Sequence, residues 1–150
     1  MTGPAPTTAP DPSCTFCRII AGELPATSVY EDDDVVAFLD VRPLFPGHTL
    51  VVPRQHVVTL ADLDPAAVGP FFERVQAISA AIPVGLGAQG TFVAANNVVS
   101  QSVPHLHVHV VPRTKGDGLR GFFWPRTEYR DDVHAAEVAA AIGAAISPRG

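Results

Sequence analysis

The sequence predicts an α+β fold with a mainly antiparallel sheet of about five strands, one central helix and a C-terminal helix. Three features support this prediction. Strand-like runs follow one another with turn residues between them, one long helical pattern interrupts the series, and an Ala-rich stretch closes the chain. Strands in succession with few helices are typical of α+β proteins. The 150 residues, 47% hydrophobic and 17% charged, match one folded domain.

Folded structure is expected to begin after the first dozen residues. Residues 1–12 are rich in Pro, Thr and Ala and offer little apolar surface to bury, which predicts a disordered tail. Residues 13–150 are expected to form a single domain, with a C-terminal loop and helix in residues 118–150. Within this domain the stretch CTFCRIIAGELP predicts a short helix that ends before Pro25.

Strand-like runs and the long helix come next. SVYED and DVVAFLDV flank an acidic turn, as in a hairpin, and HTLVVPR follows the breaker RPLFPG. The long helix starts after the N-cap Asp64, has Pro65 in its first position and is expected to end at Pro83. Its apolar stripe predicts the core face: Val68, Phe71, Phe72, Val75, Ile78 and Ile82. GTFVAANN and SVPHLHVHVVP predict two more strands, ahead of the Ala-rich helix that runs through Ile146.

Charge and hydropathy exclude several classes of function. The formal net charge is −5, with only ten Lys and Arg and no basic run, so the electrostatic footprint of nucleic-acid binding is missing. No run approaches the roughly 18 to 20 apolar residues of a membrane span. The start of the chain lacks the basic and apolar regions of a signal peptide. We therefore expect a cytoplasmic protein without nucleic-acid or membrane partners.

Three histidines stand at two-residue spacing in PHLHVHVVP. On a strand, His105, His107 and His109 share one face, and the apolar residues between them share the other, core-facing side. Neighbouring imidazoles then start about 6.5 to 7 Å apart and the outer pair about 13 Å apart, so two could bind one metal but three could hardly do so. A row of histidines also suits phosphoryl chemistry. One neutral imidazole attacks phosphorus while a protonated neighbour stabilises the oxygens or the leaving group.

Cys14 and Cys17 form a C-x-x-C pair with several possible roles. Such a pair occurs as a zinc half-site, as a redox pair or as two incidental thiols. A cytoplasmic location argues against a structural disulfide, and no thioredoxin-like pattern surrounds the pair. A zinc site would need two more ligands, typically histidines.

The run from His105 to Val111 matches the His-φ-His-φ-His-φ-φ signature of the histidine triad family, where φ is apolar. CTFCRIIAGELPA, VYEDDDVVAFLDVRPLFPGHTLVVPRQH and QSVPHLHVHVVPRTKGDG also resemble, in order and spacing, blocks of bacterial members of this family. The resemblance implies a HIT-like fold whose sheets join across a homodimer. It also implies a nucleotide hydrolase or transferase that acts on the α-phosphate of a nucleotide, usually a purine nucleotide of the AMP type.

The resemblance assigns roles to individual residues. His107 would attack the α-phosphorus and form a covalent nucleotidyl-histidine, His109 would hydrogen-bond to phosphate or leaving-group oxygens, and His48 would help orient the triad. Asp40 would hold the ribose hydroxyls. The residues expected to contact the nucleotide are Asp40, Val41, Asn96, Gln101, Ser102, His107 and His109. Members with the N-terminal C-x-x-C complete a structural zinc site with two histidines, so the implied ligands are Cys14, Cys17, His56 and His105.

Some features depart from the family pattern or leave alternatives open. Val98 and Val99 stand where many bacterial relatives have glycines. The loop around Phe122, Phe123 and Trp124 reads either as an aromatic anchor or as a wall that selects the leaving group. His134 is interpreted as a surface residue. Two other functions compete with the main one: a non-catalytic, zinc-stabilised nucleotide-binding module, and a metallohydrolase in which His105 and His107 bind a catalytic zinc. Chelation distinguishes the metallohydrolase from the main hypothesis: removal of a catalytic metal predicts immediate, reversible loss of rate, whereas removal of a structural metal predicts slow loss that tracks unfolding.

Overall fold

A computed structural model of the chain describes residues 9–119 and 126–146. In these ranges it contains three α-helices, α1 (Thr15–Ile20), α2 (Pro65–Leu86) and α3 (Asp132–Ala145), and a 3-10 turn at Leu60–Asp62. It also contains the strands β1 (Ser28–Glu31), β2 (Val35–Leu39), β3 (Thr49–Pro53), β4 (Gly90–Ala94) and β5 (Val108–Arg113). The predicted α+β fold is confirmed. Phe122, Phe123 and Trp124 lie outside the described residues.

The five strands form one antiparallel sheet in the order β1-β2-β3-β5-β4. β5 lies between β3 and β4, and His109 of β5 is paired with Leu50 of β3 and with Ala94 of β4. The histidine-bearing segment therefore enters the sheet between two partner strands, where the backbone is held on both sides.

The two faces of the sheet bury different sets of residues. One face packs against α2, and its buried cluster includes Val35, Ala37, Val51, Leu106, Val108 and Val110 with Phe71, Val75, Ile78 and Ile82 of the helix. The other face packs against α1, in a smaller cluster of Cys14, Phe16, Cys17, Val36, Phe38, Leu50 and Val52. Alternation along each strand produces this division.

Helix α2 starts as predicted but continues beyond Pro83. Asp64 caps its N-terminus through a hydrogen bond from the Ala66 N–H, and the helix ends at Gly87, whose φ of 71° is left-handed. A proline removes one helical hydrogen bond but does not forbid the next turn. The helix stops where a glycine adopts the left-handed conformation and donates its N–H to the Pro83 carbonyl. The predicted end at Pro83 is therefore wrong by one turn.

The last strand is shorter than predicted. The run SVPHLHVHVVP predicts a strand from Ser102, whereas β5 begins at Val108, so His105 and His107 precede it. Pro104 has no N–H to contribute to a ladder. The Leu106 N–H instead donates to the Val57 carbonyl at 2.7 Å, outside the strands. This approach segment still buries alternate side chains on opposite sides.

The chain divides into two compact units, residues 1–117 and residues 118–150. The first unit contains the sheet with α1 and α2. The second contains α3, the predicted C-terminal helix, which begins after Asp131, whose carboxylate accepts a hydrogen bond from the His134 N–H at 2.7 Å. Within the described ranges, no helix is long and apolar enough to cross a membrane.

Candidate active site and metal centre

The histidine row lies on the α1 side of the sheet. His105 and His107 are 0% and 3% exposed, and both rings contact the edge or face of Phe16. Leu106, by contrast, belongs to the cluster under α2, as the alternation predicts. The rings of His107 and His109 lie 5.0 Å apart between centroids, close enough for both to contact one substrate atom group.

A backbone carbonyl determines the tautomer of His107. The Nδ1 atom of His107 lies 2.8 Å from the carbonyl oxygen of His105. A carbonyl oxygen only accepts hydrogen bonds, so Nδ1 carries the proton and donates it. In the neutral ring the Nε2 atom then holds a free lone pair. A nucleophilic imidazole needs this arrangement.

A backbone N–H determines the opposite tautomer for His109. The Leu44 N–H donates to Nδ1 of His48 at 3.1 Å, so neutral His48 carries its proton on Nε2. This Nε2–H faces Nδ1 of His109 at 2.9 Å, which makes that atom the acceptor. Neutral His109 therefore carries its proton on Nε2. Next to the lone pair of His107, the site thus offers a hydrogen-bond donor.

Burial keeps His48 and His109 neutral at pH 7. It lowers the pKa of His109 to about 4, and the neighbouring His107 and His48 act in the same direction. Burial also lowers the pKa of His48, although the Asp40 carboxylate partly opposes this. The 3.7 Å approach of Asp40 to Nε2 of His48 is therefore not an ion pair at neutral pH. At pH 7 His109 donates as a neutral ring, in contrast to the protonated neighbour that the sequence predicts.

Apart from His107 and His109, the predicted nucleotide-binding residues lie on two loops. Asp40 follows β2, its carboxylate accepts the Arg42 N–H at 2.9 Å, and Val41 beside it is 88% exposed. The carboxylate is partly exposed and within reach of His48, so it can accept hydrogen bonds from a ligand as well.

The loop ahead of the histidine row carries the other predicted contacts. The Asn96 amide donates to the Ser100 carbonyl at 3.2 Å, and the Gln101 amide donates to the Val58 carbonyl at 2.6 Å. Ser102 is exposed. Gln101 also accepts the Val98 N–H, so its amide ties the loop to itself and to the segment after β3. Asn96 and Gln101 thus have roles within the loop in addition to any contact with phosphate.

Val98 and Ser100 adopt the left-handed backbone conformation in this same loop, with φ of 70° and 60°. A β-branched residue rarely adopts it because its Cβ substituents crowd the backbone. The family pattern that the sequence resembles predicts glycines at this place. The chain therefore keeps a glycine-like backbone at Val98 without the glycine.

The four predicted zinc ligands converge. The ligand atoms of Cys14, Cys17, His56 and His105 all lie within 4.8 Å of one another. The sulfur-to-nitrogen distances are 3.5 Å for Cys14 with His105, 3.3 Å for Cys17 with His56 and 3.6 Å for Cys17 with His105. Tetrahedral zinc, with bonds of about 2.3 Å to sulfur and 2.0 to 2.1 Å to nitrogen, separates such ligands by about 3.5 Å. The donor set therefore fits zinc in both chemistry and spacing.

The second ring nitrogen of His105 supports the same assignment. Nε2 of His105 donates to the Pro53 carbonyl at 2.8 Å, so Nδ1 keeps its lone pair and faces the thiols. Metal-binding histidines are usually oriented in this way. Asp40, His48 and His109 also approach one another, but there the Leu44 N–H occupies Nδ1 of His48 and leaves a proton on the inward nitrogen. That trio is suited to hydrogen bonding, not to holding a metal.

Two features of the site are not apparent from the motifs. Phe16 contacts the rings of both His105 and His107, and the Leu44 backbone N–H determines the tautomer of His48. Phe16 stands inside the C-x-x-C pair, so its neighbours could have drawn attention to it. No side-chain signal marks the Leu44 N–H.

The sequence pattern of the HIT domain family matches residues 21–116 of this chain. The chain belongs to the HIT domain family. Among its relatives, an uncharacterized HIT-like protein of Mycobacterium tuberculosis is 44% identical over 108 residues, 71% of this chain and 75% of that protein. Adenylylsulfatase HINT3 of Arabidopsis thaliana is 38% identical over 108 residues, covering 71% of this chain and 55% of that protein. Adenosine 5'-monophosphoramidase hnt1 of Schizosaccharomyces pombe is 31% identical over 115 residues, 75% of this chain and 84% of that protein.

Solved HIT structures share this fold. A HIT family protein from Bacillus subtilis is similar with a TM-score of 0.82 and 32% identity, over 91% of this chain and 99% of that one. A zinc-bound histidine triad family protein from Mycobacterium smegmatis has a TM-score of 0.68 and 38% identity, over 88% of this chain and 97% of that one. The HIT match begins at residue 21, so Cys14 and Cys17 lie just outside it, whereas the three histidines of the row lie inside.

Proposed function

We propose that this HIT protein is a nucleotide hydrolase or transferase that attacks the α-phosphate of a nucleoside phosphoramidate, a dinucleoside polyphosphate or a related nucleotidyl conjugate. The observation that carries the proposal is the pair of opposite tautomers in adjacent rings. The His105 carbonyl leaves a lone pair on Nε2 of His107, and His48 leaves a proton on Nε2 of His109. A nucleophile and a donor side by side are what displacement at phosphorus requires.

The proposed reaction has two displacements. In the first, Nε2 of His107 forms a bond to the α-phosphorus as the bond to the leaving group breaks; Nε2–H of neutral His109 hydrogen-bonds to the departing atom, which takes its proton from solvent water. In the second, water attacks phosphorus, loses a proton to solvent and breaks the phosphorus–nitrogen bond. The products are the nucleoside monophosphate and the protonated leaving group. If another acceptor replaces water, the same intermediate gives transfer.

Two relatives support a nucleotidyl substrate. One is named an adenylylsulfatase and the other an adenosine 5'-monophosphoramidase, so both names combine an adenosine nucleotide with a different leaving group. We propose that Asp40 holds the ribose hydroxyls beside Val41, and that Asn96, Gln101 and Ser102 contribute to the phosphate side. The short loop with Val98 departs from the family pattern at this point, so its contacts are expected to differ from those of glycine-bearing relatives.

We also propose that Cys14, Cys17, His56 and His105 hold a structural zinc ion. The set supplies four protein ligands, which leaves no position for substrate, so the metal supplies rigidity and not Lewis-acid chemistry. Its ligands come from α1, from the segment after β3 and from the approach to β5. His105 is thereby assigned to the metal, and its carbonyl to His107.

A homodimer in the cytoplasm completes the proposal. β4 is the last strand of the sheet order, and Val93 on it is 43% exposed, so a second copy could extend the sheet there. Free Cys14 and Cys17 suit a reducing compartment, where thiols remain available to zinc. Sedimentation at micromolar concentration tests the dimer directly, and a Val93→Lys variant that stays dimeric would contradict the β4 contact.

The decisive experiment traps the intermediate. The full chain is mixed with adenosine 5'-phosphoramidate or a diadenosine polyphosphate, quenched under conditions that preserve phosphohistidine bonds, and measured by intact mass. We expect a single adenylyl adduct on the wild-type protein and on His134→Gln, a matched histidine replacement in α3, and none on His107→Ala. Turnover by His107→Ala would refute the mechanism. Binding of AMP without adduct or turnover would instead identify a nucleotide-binding module.

A further inference from the structure

Phe16 connects the metal site with the nucleophile. It stands between Cys14 and Cys17 and is 6% exposed. Its ring meets His107 nearly perpendicularly, with centroids 5.1 Å apart and planes at 87°, and meets His105 at 5.9 Å. On another side it packs against Phe38, with centroids 5.4 Å apart. One residue of the C-x-x-C segment therefore touches the ring that the proposed function makes the nucleophile.

The short helix that carries Phe16 depends on its anchors. α1 has six residues, and an isolated helix of this length is not stable in water. The thiols of Cys14 and Cys17 lie against His105 and His56, and backbone N–H groups of Cys17 and Asp11 point at the two sulfurs at 3.4 Å. Ligation of both thiols would therefore add to the packing against Phe38 that holds Phe16 in place.

His107 needs a second restraint besides its carbonyl. The hydrogen bond from Nδ1 to the His105 carbonyl fixes one direction of the ring but allows rotation about that bond. The edge contact with Phe16 restricts this rotation and so the direction of the Nε2 lone pair. Small errors in the position of a nucleophile lower the reaction rate strongly, because a displacement near 1 Å can reduce it about 100-fold.

We propose that Phe16 is a positioning residue through which zinc ligation at Cys14 and Cys17 orients the His107 ring. The proposal rests on the proposed function of His107. It goes beyond a structural metal, because it names the side chain that transmits zinc binding to the nucleophile. Since coupling between two sites is reciprocal, the Phe16–His107 contact must also strengthen zinc binding.

The test compares Phe16→Leu with Phe38→Leu in the full chain. Both residues are buried in the same cluster and both variants lose a phenyl ring, but of the two rings it is that of Phe16 that contacts His107. Zinc affinity is measured by competition with a chromophoric chelator. From the usual strength of aromatic pairs, we expect Phe16→Leu to bind zinc about threefold to tenfold more weakly than Phe38→Leu.

Two further measurements report on the His107 ring itself. In zinc-loaded protein the His107 Hε1 resonance should shift in Phe16→Leu, which loses the ring current of Phe16, and remain close to its wild-type position in Phe38→Leu. In the chemical step we expect kcat to fall about tenfold in Phe16→Leu with KM within about twofold, as for misdirection without loss of binding. Zinc titration of the wild-type chain should move the His107 resonance in proportion to metal bound, which tests the coupling without any variant.

Equal zinc affinities in the two variants, or a His107 resonance that ignores zinc, would overturn the proposal. Affinity and resonance are measured without substrate. If the variants differ in zinc affinity and the wild-type His107 resonance follows zinc, but the wild-type protein forms no nucleotide adduct, the proposed function is refuted and the positioning of His107 by Phe16 stands.

Discussion

His48 joins two hydrogen bonds that can be removed one at a time. Its Nδ1 accepts the Leu44 N–H at 3.1 Å, and its Nε2–H faces His109 at 2.9 Å. An Asn side chain can place an oxygen near the position of Nδ1 but does not reach His109. A Gln side chain can place an amide N–H near the position of Nε2 but leaves the Leu44 N–H without its acceptor.

The two variants should therefore fail in different ways. His48→Asn keeps the partner of the Leu44 N–H, so its stability should stay within about 0.5 kcal/mol of a surface replacement, while the chemical step slows about tenfold to 100-fold because His109 loses its orienting donor. His48→Gln keeps that donor and most of the rate. It should lose about 0.5 to 1.5 kcal/mol of stability, the net contribution of a hydrogen bond, because the Leu44 N–H loses its acceptor.

Single-turnover kinetics measures the rate of the chemical step and urea unfolding measures the free energy of unfolding, both on zinc-loaded protein. The wild-type chain and His134→Gln serve as references. If both variants lose rate and stability together, or if His48→Asn keeps full rate, then His48 does not act through two separable hydrogen bonds and the assignment of the His109 tautomer is wrong.

Three other predictions follow from the structure. Because burial lowers the pKa of His109 to about 4, the unfolded chain binds a proton between about pH 6.5 and 4 that the folded chain does not bind. The free energy of unfolding should therefore fall as pH drops from about 6.5 toward 4, and should fall less in His109→Gln. The same dependence of unfolding free energy on pH in that variant would contradict the pKa shift. The Asp32 carboxylate accepts from Arg74 at 2.9 Å and from two backbone N–H groups, which hold its pKa well below its usual range. Urea unfolding at pH 7 should therefore show Asp32→Asn losing about 1 to 3 kcal/mol, against less than about 0.5 kcal/mol for the exposed neighbour in Asp33→Asn, and equal losses would contradict the network. Val98→Asn should raise the unfolding free energy by about 1 kcal/mol, because Asn tolerates the left-handed backbone that strains a β-branched residue, and a loss of stability would show that the Val98 side chain has contacts worth more than the strain.

The five strands and the four residues expected to bind zinc illustrate how much the sequence can predict. Apolar alternation and turn residues locate the five strands, and C-x-x-C with two histidines at family spacing predicts a ligand set that the structure brings within 4.8 Å. Both predictions depend on residue types at fixed spacing, which a sequence displays directly.

Where the sequence-based prediction falls short, backbone geometry is responsible. Pro83 suggests the end of a helix, but the left-handed Gly87 provides it four residues later. Likewise, nothing in the residue types around Val98 indicates a left-handed conformation, since the glycines that would signal it are absent. Local propensity describes what a residue prefers, and tertiary packing decides which preferences are overridden.

The difference between the three histidines also comes from backbone groups. Each ring uses one nitrogen to contact the protein, and the nature of that contact decides what the other nitrogen offers. The carbonyl oxygens of Pro53 and His105 accept hydrogen bonds from the rings of His105 and His107, respectively. The other nitrogen of each ring therefore keeps a lone pair, on Nδ1 of His105 facing the thiols and on Nε2 of His107. His109 has the opposite arrangement. The Leu44 N–H donates to His48, and the Nε2–H of His48 donates to Nδ1 of His109, so the other nitrogen of His109 carries the proton. Spacing alone makes the three residues look equivalent, whereas one donor or acceptor behind each ring leaves the first with a lone pair that faces the thiols, the second with a lone pair on Nε2 and the third with an N–H on Nε2.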